Sequence, residues 1–208
     1  GYWRFVLVPA TDAGTDNGDG GDTTPALDVT GDWRLAPVVG ALGVGPDLGD
    51  IGWWSNSADE VAASACLFDD VYSFGADGSF ANQMGEATWL EGWQGAAEGC
   101  GAPVAPHDGS NAATYSYDAA AATLTVDGFG AYVGLPKVVN DAELASSAGA
   151  ASSVTYEVTE LTADRMTLDI NSGAGYWRFV LVPATTVPIF TSGNVATAID
   201  ENSGADQV

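Results

Sequence analysis

Positive charge is what this chain has least of: five Lys and Arg stand against 28 Asp and Glu, a formal net charge of -23. So negative a surface repels phosphate backbones, which excludes nucleic acid and other polyanions as partners. Long apolar runs are missing as well. No stretch of about 18 apolar residues occurs, and no basic segment precedes a shorter one, so the residues predict neither a transmembrane helix nor a leader peptide, and no membrane insertion. Histidine occurs once, at His107, and cysteine twice, at Cys66 and Cys100. Those two are too far apart for a Cys-x-x-Cys pair, which argues against a zinc centre. Helix formers other than Ala are scarce, while Gly, Thr, Val and Tyr are plentiful, a composition that predicts strands and turns.

What is present suffices for a packed core. Hydrophobic residues make up 46% of the chain and seven are Trp, enough for one domain of about 150 residues and too many for a disordered chain. The acids are mostly Asp, scattered among Gly, Thr, Ser and Ala. They read as a solvated shell and as oxygen ligands for divalent cations. An even number of cysteines in so extracellular-looking a sequence favours a disulfide between Cys66 and Cys100 over two reduced core thiols. Secretion, to a bacterial cell surface or an extracellular matrix, is the matching expectation.

The decapeptide Gly-Tyr-Trp-Arg-Phe-Val-Leu-Val-Pro-Ala occurs twice without change, at residues 1–10 and 175–184. Tyr2, Trp3, Arg4 and Phe5 thus recur as Tyr176, Trp177, Arg178 and Phe179. Because the second copy closes a β-rich region, the first reads as the last strand of a preceding, nearly identical repeat. Interchangeable strands also invite exchange between neighbouring units. Residues 11–30 read as an acidic Gly/Asp linker. Within it Asp16, Asn17, Asp19 and Asp22 alternate with glycines as calcium ligands do, although the terminal Glu of an EF-hand is absent. A solvated linker and a calcium site both remain open there.

Residues 31–184 form the expected domain, with short alternating or aromatic-rich runs broken by Gly, Asp and Asn. Strands are predicted near 31–37, 67–74, 78–83, 87–93, 113–118, 122–127, 130–133, 154–160, 165–171 and 176–182. Asp77-Gly78 between two aromatic runs is a hairpin signal. Short helices are predicted at 57–65 and 140–146, each with a polar start. The whole is an all-β antiparallel meander, closed as a barrel or folded as a two-sheet sandwich.

Two resemblances sharpen this. The order Gly31-Asp-Trp33-Arg-Leu, then Cys66-Leu-Phe-Asp-Asp-Val-Tyr-Ser-Phe, an Asp-Gly turn and a final Trp177-Arg178-Phe179 strand resembles bacterial lipocalin-like domains. It implies an up-and-down barrel whose floor is closed by Trp33, with Arg178 packed over the indole. Residues 185–208 contain Phe-Thr-Ser, Ala-Thr-Ala-Ile and Asp200-Glu201-Asn202-Ser-Gly. From residue 187 on they resemble the start of the cadherin-like repeats of large tandem-repeat bacterial adhesins. That resemblance implies calcium on Asp200, Glu201 and Asn202.

No catalytic set is expected. His107 lies beside Asp108 and Ser110, but loop neighbours cannot form a through-space relay, and no Gly-x-Ser-x-Gly elbow occurs. Nothing ties the acid pairs Glu86 with Glu91 or Glu157 with Glu160 to a nucleophile. The Trp residues are more informative. Trp53, Trp54, Trp89 and Trp93 are either core aromatics or, beside Asn56, Glu91 and Gln94, a sugar-stacking platform. Three functions follow as expectations: a structural or adhesive repeat module, a carbohydrate-binding module, and a lipocalin-type carrier of a small ligand. Their partners are neighbouring repeats or copies of the chain, an extracellular polysaccharide or another cell surface, with calcium the one cofactor the sequence offers ligands for.

Overall fold

A computed structural model describes residues 28–185. The first copy of the decapeptide, most of the acidic linker with Asp16, Asn17, Asp19 and Asp22, and the tail carrying Asp200, Glu201 and Asn202 lie outside those residues.

Strands arise where apolar residues recur at every second position, so that one face of the pleat can be buried. The longest, Ser-Val-Thr-Tyr-Glu-Val-Thr-Glu-Leu, buries Val154, Tyr156 and Val158 and turns Glu157 to solvent. In chain order the strands are β1 (Gly31–Leu35), β2 (Leu42–Gly45), β3 (Trp54–Ser55), β4 (Val71–Phe74), β5 (Ser79–Gln83), β6 (Thr88–Leu90) and β7 (Gly99–Gly101). There follow β8 (Ala113–Asp118), β9 (Thr123–Asp127), β10 (Val138–Val139), β11 (Ala142–Glu143), β12 (Ser153–Leu161), β13 (Met166–Asn171) and β14 (Tyr176–Pro183). Two short helices, α1 (Ala58–Ala63) and α2 (Ala65–Phe68), connect β3 to β4.

Antiparallel neighbours run in the order β1-β4-β5-β8-β9-β12-β13-β14, and β14 pairs back onto β1, which closes an eight-stranded barrel. Closure removes the open edges that a sandwich would leave, so the sandwich alternative falls away. The pairing partner of β14 is divided. Its second half meets β1, with Trp33 opposite Pro183, and its first half meets β2, with Phe179 opposite Leu42. The intervening loop 36–41 folds over the outside of β14, where Ala36, Ala41 and Val180 form a small second cluster. At the predicted Asp-Gly hairpin Gly78 takes a positive φ of 83°, and the Asp77 carboxylate accepts from the Ser79 amide and hydroxyl.

Several expectations need correction. Residues 67–70, expected in a strand, include the end of α2, whose turn carries the adjacent Leu67 and Phe68 into the core together where a strand would send them to opposite faces. Residues 140–146 form no helix; β10 and β11 make a minimal hairpin there, with Asp141 at a positive φ of 63°. Beyond β6 the predicted strand 87–93 turns into a 3-10 turn, Gly92–Gln94. The expected contact of Trp33 with Arg178 does not form. Trp33 faces the core near the far end of β14, and its indole N–H donates to the Val29 carbonyl at 2.8 Å. Strand parity puts Trp177 and Phe179 inside, so Arg178 points out and clasps Asp169 with Nε at 2.9 Å and Nη2 at 2.8 Å.

The most consequential correction concerns residues 130–133, expected in a strand. They belong to a loop between β9 and β10 in which Ala131, Tyr132, Val133 and Leu135 are all buried in the main core. Tyr156 holds this loop from within, accepting from the Val133 amide at 2.8 Å and donating to its carbonyl at 3.2 Å. The Tyr72 hydroxyl donates to the Gly134 carbonyl at 3.1 Å. Gly134 has a φ of 85°, and a Cβ there would run into the Phe179 ring. The loop is thus a plug, and with Phe74, Phe179, Leu124 and Leu168 fully buried beneath it the barrel is filled rather than hollow.

Candidate functional site, an aromatic cleft at the plugged end

At the end of the barrel where β14 begins, the plug leaves a cleft of about 290 Å³ between itself, the helices and the β6–β7 hairpin. Leu42, Leu67, Phe68 and Leu135 give it an apolar base, and the indoles of Trp54, Trp89 and Trp177 surround it. Its polar groups are few: Glu60, Glu91 and Lys137, with Ser64. Asn56 also lines it, but its carboxamide accepts from the Leu42 amide at 2.8 Å and donates to the Val38 carbonyl at 2.9 Å. That side chain is committed to holding β2 in place.

Each wall is positioned by local chemistry. Ser57 and Glu60 form a capping box, with Glu60 Oε2 accepting from the Ser57 amide at 2.7 Å. Those hydrogen bonds from Ser57, backbone first, and a further one from Trp54 hold the Glu60 carboxyl below its ordinary range, so it is anionic at neutral pH. The disulfide Cys66–Cys100, with Cα atoms 6.0 Å apart, ties α2 to β7, and β7 in turn pairs Cys100 with Trp89 of β6. Trp177 reaches the cleft from β14. Its indole N–H donates to Glu143 at 2.7 Å and its ring meets Trp54 at a tilted 6.0 Å. The Lys137 ammonium, carried by the end of the plug, sits 5.3 Å over the Trp177 ring and 2.8 Å from Glu91.

The expected platform is therefore divided. Trp54, Trp89 and Glu91 come together in the cleft. Trp53 lies outside it, 56% exposed and against Gly175. Trp93 and Gln94 support the site without lining it. The Trp93 indole donates to Glu91 Oε2 at 2.9 Å, and the buried Gln94 accepts from the Glu91 amide at 2.9 Å, so both fix the carboxylate that meets Lys137. Sequence reasoning missed Glu60, Lys137 and the cleft role of Trp177. Lys137, one of five basic residues, stands out by rarity alone, whereas Trp177 was read only as part of the repeated strand.

His107 turns its ring inward, edge-on to Trp93 at 5.4 Å and to Tyr132 at 6.1 Å. Burial pulls it below the ordinary imidazole range. Asp108 is engaged elsewhere, accepting from the Ser110 hydroxyl at 2.6 Å. Among the described residues no group of three or more His, Cys, Asp or Glu gathers to hold a metal ion, and the calcium ligands expected from the sequence all fall outside them.

The strand pairing and the cleft define an all-β protein built on a closed eight-stranded antiparallel barrel with an aromatic opening at one end. Among solved structures it is similar to a lipocalin-like protein from Bacteroides uniformis, at 16% identity over 74% of this chain and 96% of that one, with a TM-score of 0.36. No protein-family model matches the chain, and no curated protein does.

Proposed function

We propose that this barrel is a non-catalytic, secreted ligand-binding module whose cleft takes an uncharged sugar ring. The observation that carries the reading is the convergence of Trp54, Trp89 and Trp177 on one small opening rimmed by an ion pair. Flat indole faces suit the apolar faces of a pyranose, and the Glu91–Lys137 pair supplies an acceptor and a donor to its hydroxyls. The volume stands at the lower end of the range for small-molecule sites, about 300–1,000 Å³. Two carboxylates beside one ammonium, on a chain of net charge -23, disfavour anionic ligands. The plugged interior leaves little room for a long apolar molecule, which favours a sugar over a lipocalin-type cargo.

Titrating the protein with neutral mono- and oligosaccharides while following Trp fluorescence tests this. A saturable change is expected, weakened about tenfold or more by Trp54→Ala, since a stacking aromatic at a small site carries more than 1 kcal/mol. Trp54 is 39% exposed, so the variant should fold. Silence toward every neutral sugar, with saturable binding of an apolar dye in the same cleft, would favour the small apolar carrier instead.

The duplicated decapeptide favours a second, compatible reading, that the module is one repeat of an adhesive surface protein whose partners are its neighbouring repeats. Calcium on Asp16, Asn17, Asp19 and Asp22, or on Asp200, Glu201 and Asn202, would belong to the junctions between such modules. Isothermal titration of the 208-residue chain with calcium tests that part, and absence of heat removes it.

A further inference from the structure

Two adjacent tryptophans at β3 go to different places. Among the described residues β3 pairs with β2 alone, with Trp54 opposite Val44, so it forms the outer edge of its sheet. Trp54 turns to Trp177 and the cleft. Trp53, one position earlier, is held through its backbone amide, which donates to the Val44 carbonyl at 3.1 Å, and carries the far edge of its six-membered ring to Gly175. Gly175 and Trp177 are two positions apart where the chain enters β14, about 7 Å along an extended backbone. The Trp53 indole therefore stands at the rim of the cleft, a step of the size of one sugar unit from an indole that lines it.

The ring is seated there. Gly175 is buried and its φ lies outside the left-handed region, so what this glycine supplies is room: a Cβ on it would run into the Trp53 ring. Gly45 makes the same kind of room for Asp50, where the turn after β2 folds back onto the strand. Asp50 accepts from the Gly52 amide at 2.6 Å and so closes the turn that delivers Trp53. The indole is tied at its backbone and propped at one edge, yet more than half exposed. A flat apolar surface held ready in this way is spared much of the ordering cost of binding. Asp50, exposed in the same turn, adds a carboxylate that accepts from hydroxyls. An acid beside the ring suits a sugar, whereas acids are depleted from the centres of protein interfaces.

We propose that Trp53 is a second stacking site continuous with the cleft, so that the ligand of this protein is a sugar chain and not a single sugar. One unit sits among Trp54, Trp89 and Trp177, and the chain continues over the outer edge of β3 onto Trp53. This rests on the cleft being a sugar site and adds a requirement of length to it.

Calorimetric titration of the 208-residue chain with glucose, mannose and xylose, and with their linear disaccharides and tetrasaccharides, tests this. For the sugar that binds, affinity is expected to rise about tenfold from the single unit to the tetrasaccharide, the worth of one stacking aromatic. Trp53→Ala should bring that ratio close to one, and Trp53→Tyr, which restores a flat ring, should keep most of it. Trp54→Ala should instead weaken every length. A ratio near one in the parent, or one that survives Trp53→Ala, overturns the inference and leaves the cleft reading standing. Absence of heat at every length overturns the cleft reading, and this one with it. A parent that is dimeric by light scattering and becomes monomeric in Trp53→Ala also overturns the inference, since Trp53 would then be a contact between copies.

Discussion

Asp70 stands just before β4 with 1% of its surface exposed, its Oδ2 accepting from the Thr88 hydroxyl at 2.6 Å and its Oδ1 with no partner among the described residues. Burial pushes its carboxyl up to about 7 from the ordinary 3.8, with Thr88 opposing the shift and neighbouring Asp69 adding to it. The folded protein therefore holds this proton more tightly than the unfolded chain. The stability it confers is complete below about pH 3.8 and is lost as the pH rises through about 7. At about 1.4 kcal/mol per pKa unit the loss is on the order of 4 kcal/mol. Denaturant unfolding between pH 4 and 8 should show it, and Asp70→Asn should flatten that part of the profile; an unchanged slope would mean another group titrates there. The sequence displays Asp69 and Asp70 side by side without revealing which is buried. That depends on Thr88, 18 residues away, reaching Asp70 across the fold, a contact that no local pattern encodes.

The strands were legible because nearly every barrel strand alternates, with the inward Tyr115 and Tyr117 of β8 facing Val126 and Leu124 of β9 across their hairpin. The plug was not legible, for a related reason. Phe129, Ala131, Tyr132 and Val133 make an apolar run that a buried strand and a buried loop share, and distant side chains that bond the loop backbone, the hydroxyls of Tyr72 and Tyr156 and the carboxamide of Asn82, decide between them. Those hydroxyls replace the ladder bonds the loop lacks. Tyr156→Phe should cost about 1–3 kcal/mol by leaving the Val133 amide and carbonyl buried without that partner. If the plug also shapes the cleft through Leu135 and Lys137, the same substitution should weaken sugar binding although Tyr156 itself lies outside the cleft lining. Calorimetric melting together with the fluorescence titration would separate the two effects.

Across the whole molecule, the Cys66–Cys100 bridge joins the side of the cleft formed by Leu67 and Phe68 to the side bearing Trp89. Replacing both cysteines by Ser should cost about 3–4 kcal/mol, the loop-entropy value for a separation of 34 residues, and lower the melting temperature by roughly 10 °C. Ligand affinity should fall with it; unaltered affinity would show that the two sides are held by packing alone. The bridge and two of the three cleft indoles could be read from residue types. The third, Trp177, could not, because its place depends on which end of the barrel the last strand enters, and that is settled by β2 joining β14 beside β1.

That same closing strand has a mechanical consequence. The chain enters the barrel at β1 and leaves it after β14 at one point, where Ala184 and Asp32 share a hydrogen bond. Tension applied along a polymer of such units would pass from one anchor to the other without stretching the barrel between them. Each barrel then hangs as a pendant, adding almost nothing to contour length, and a strong pull would peel β1 from β14 one bond at a time instead of shearing all of them together.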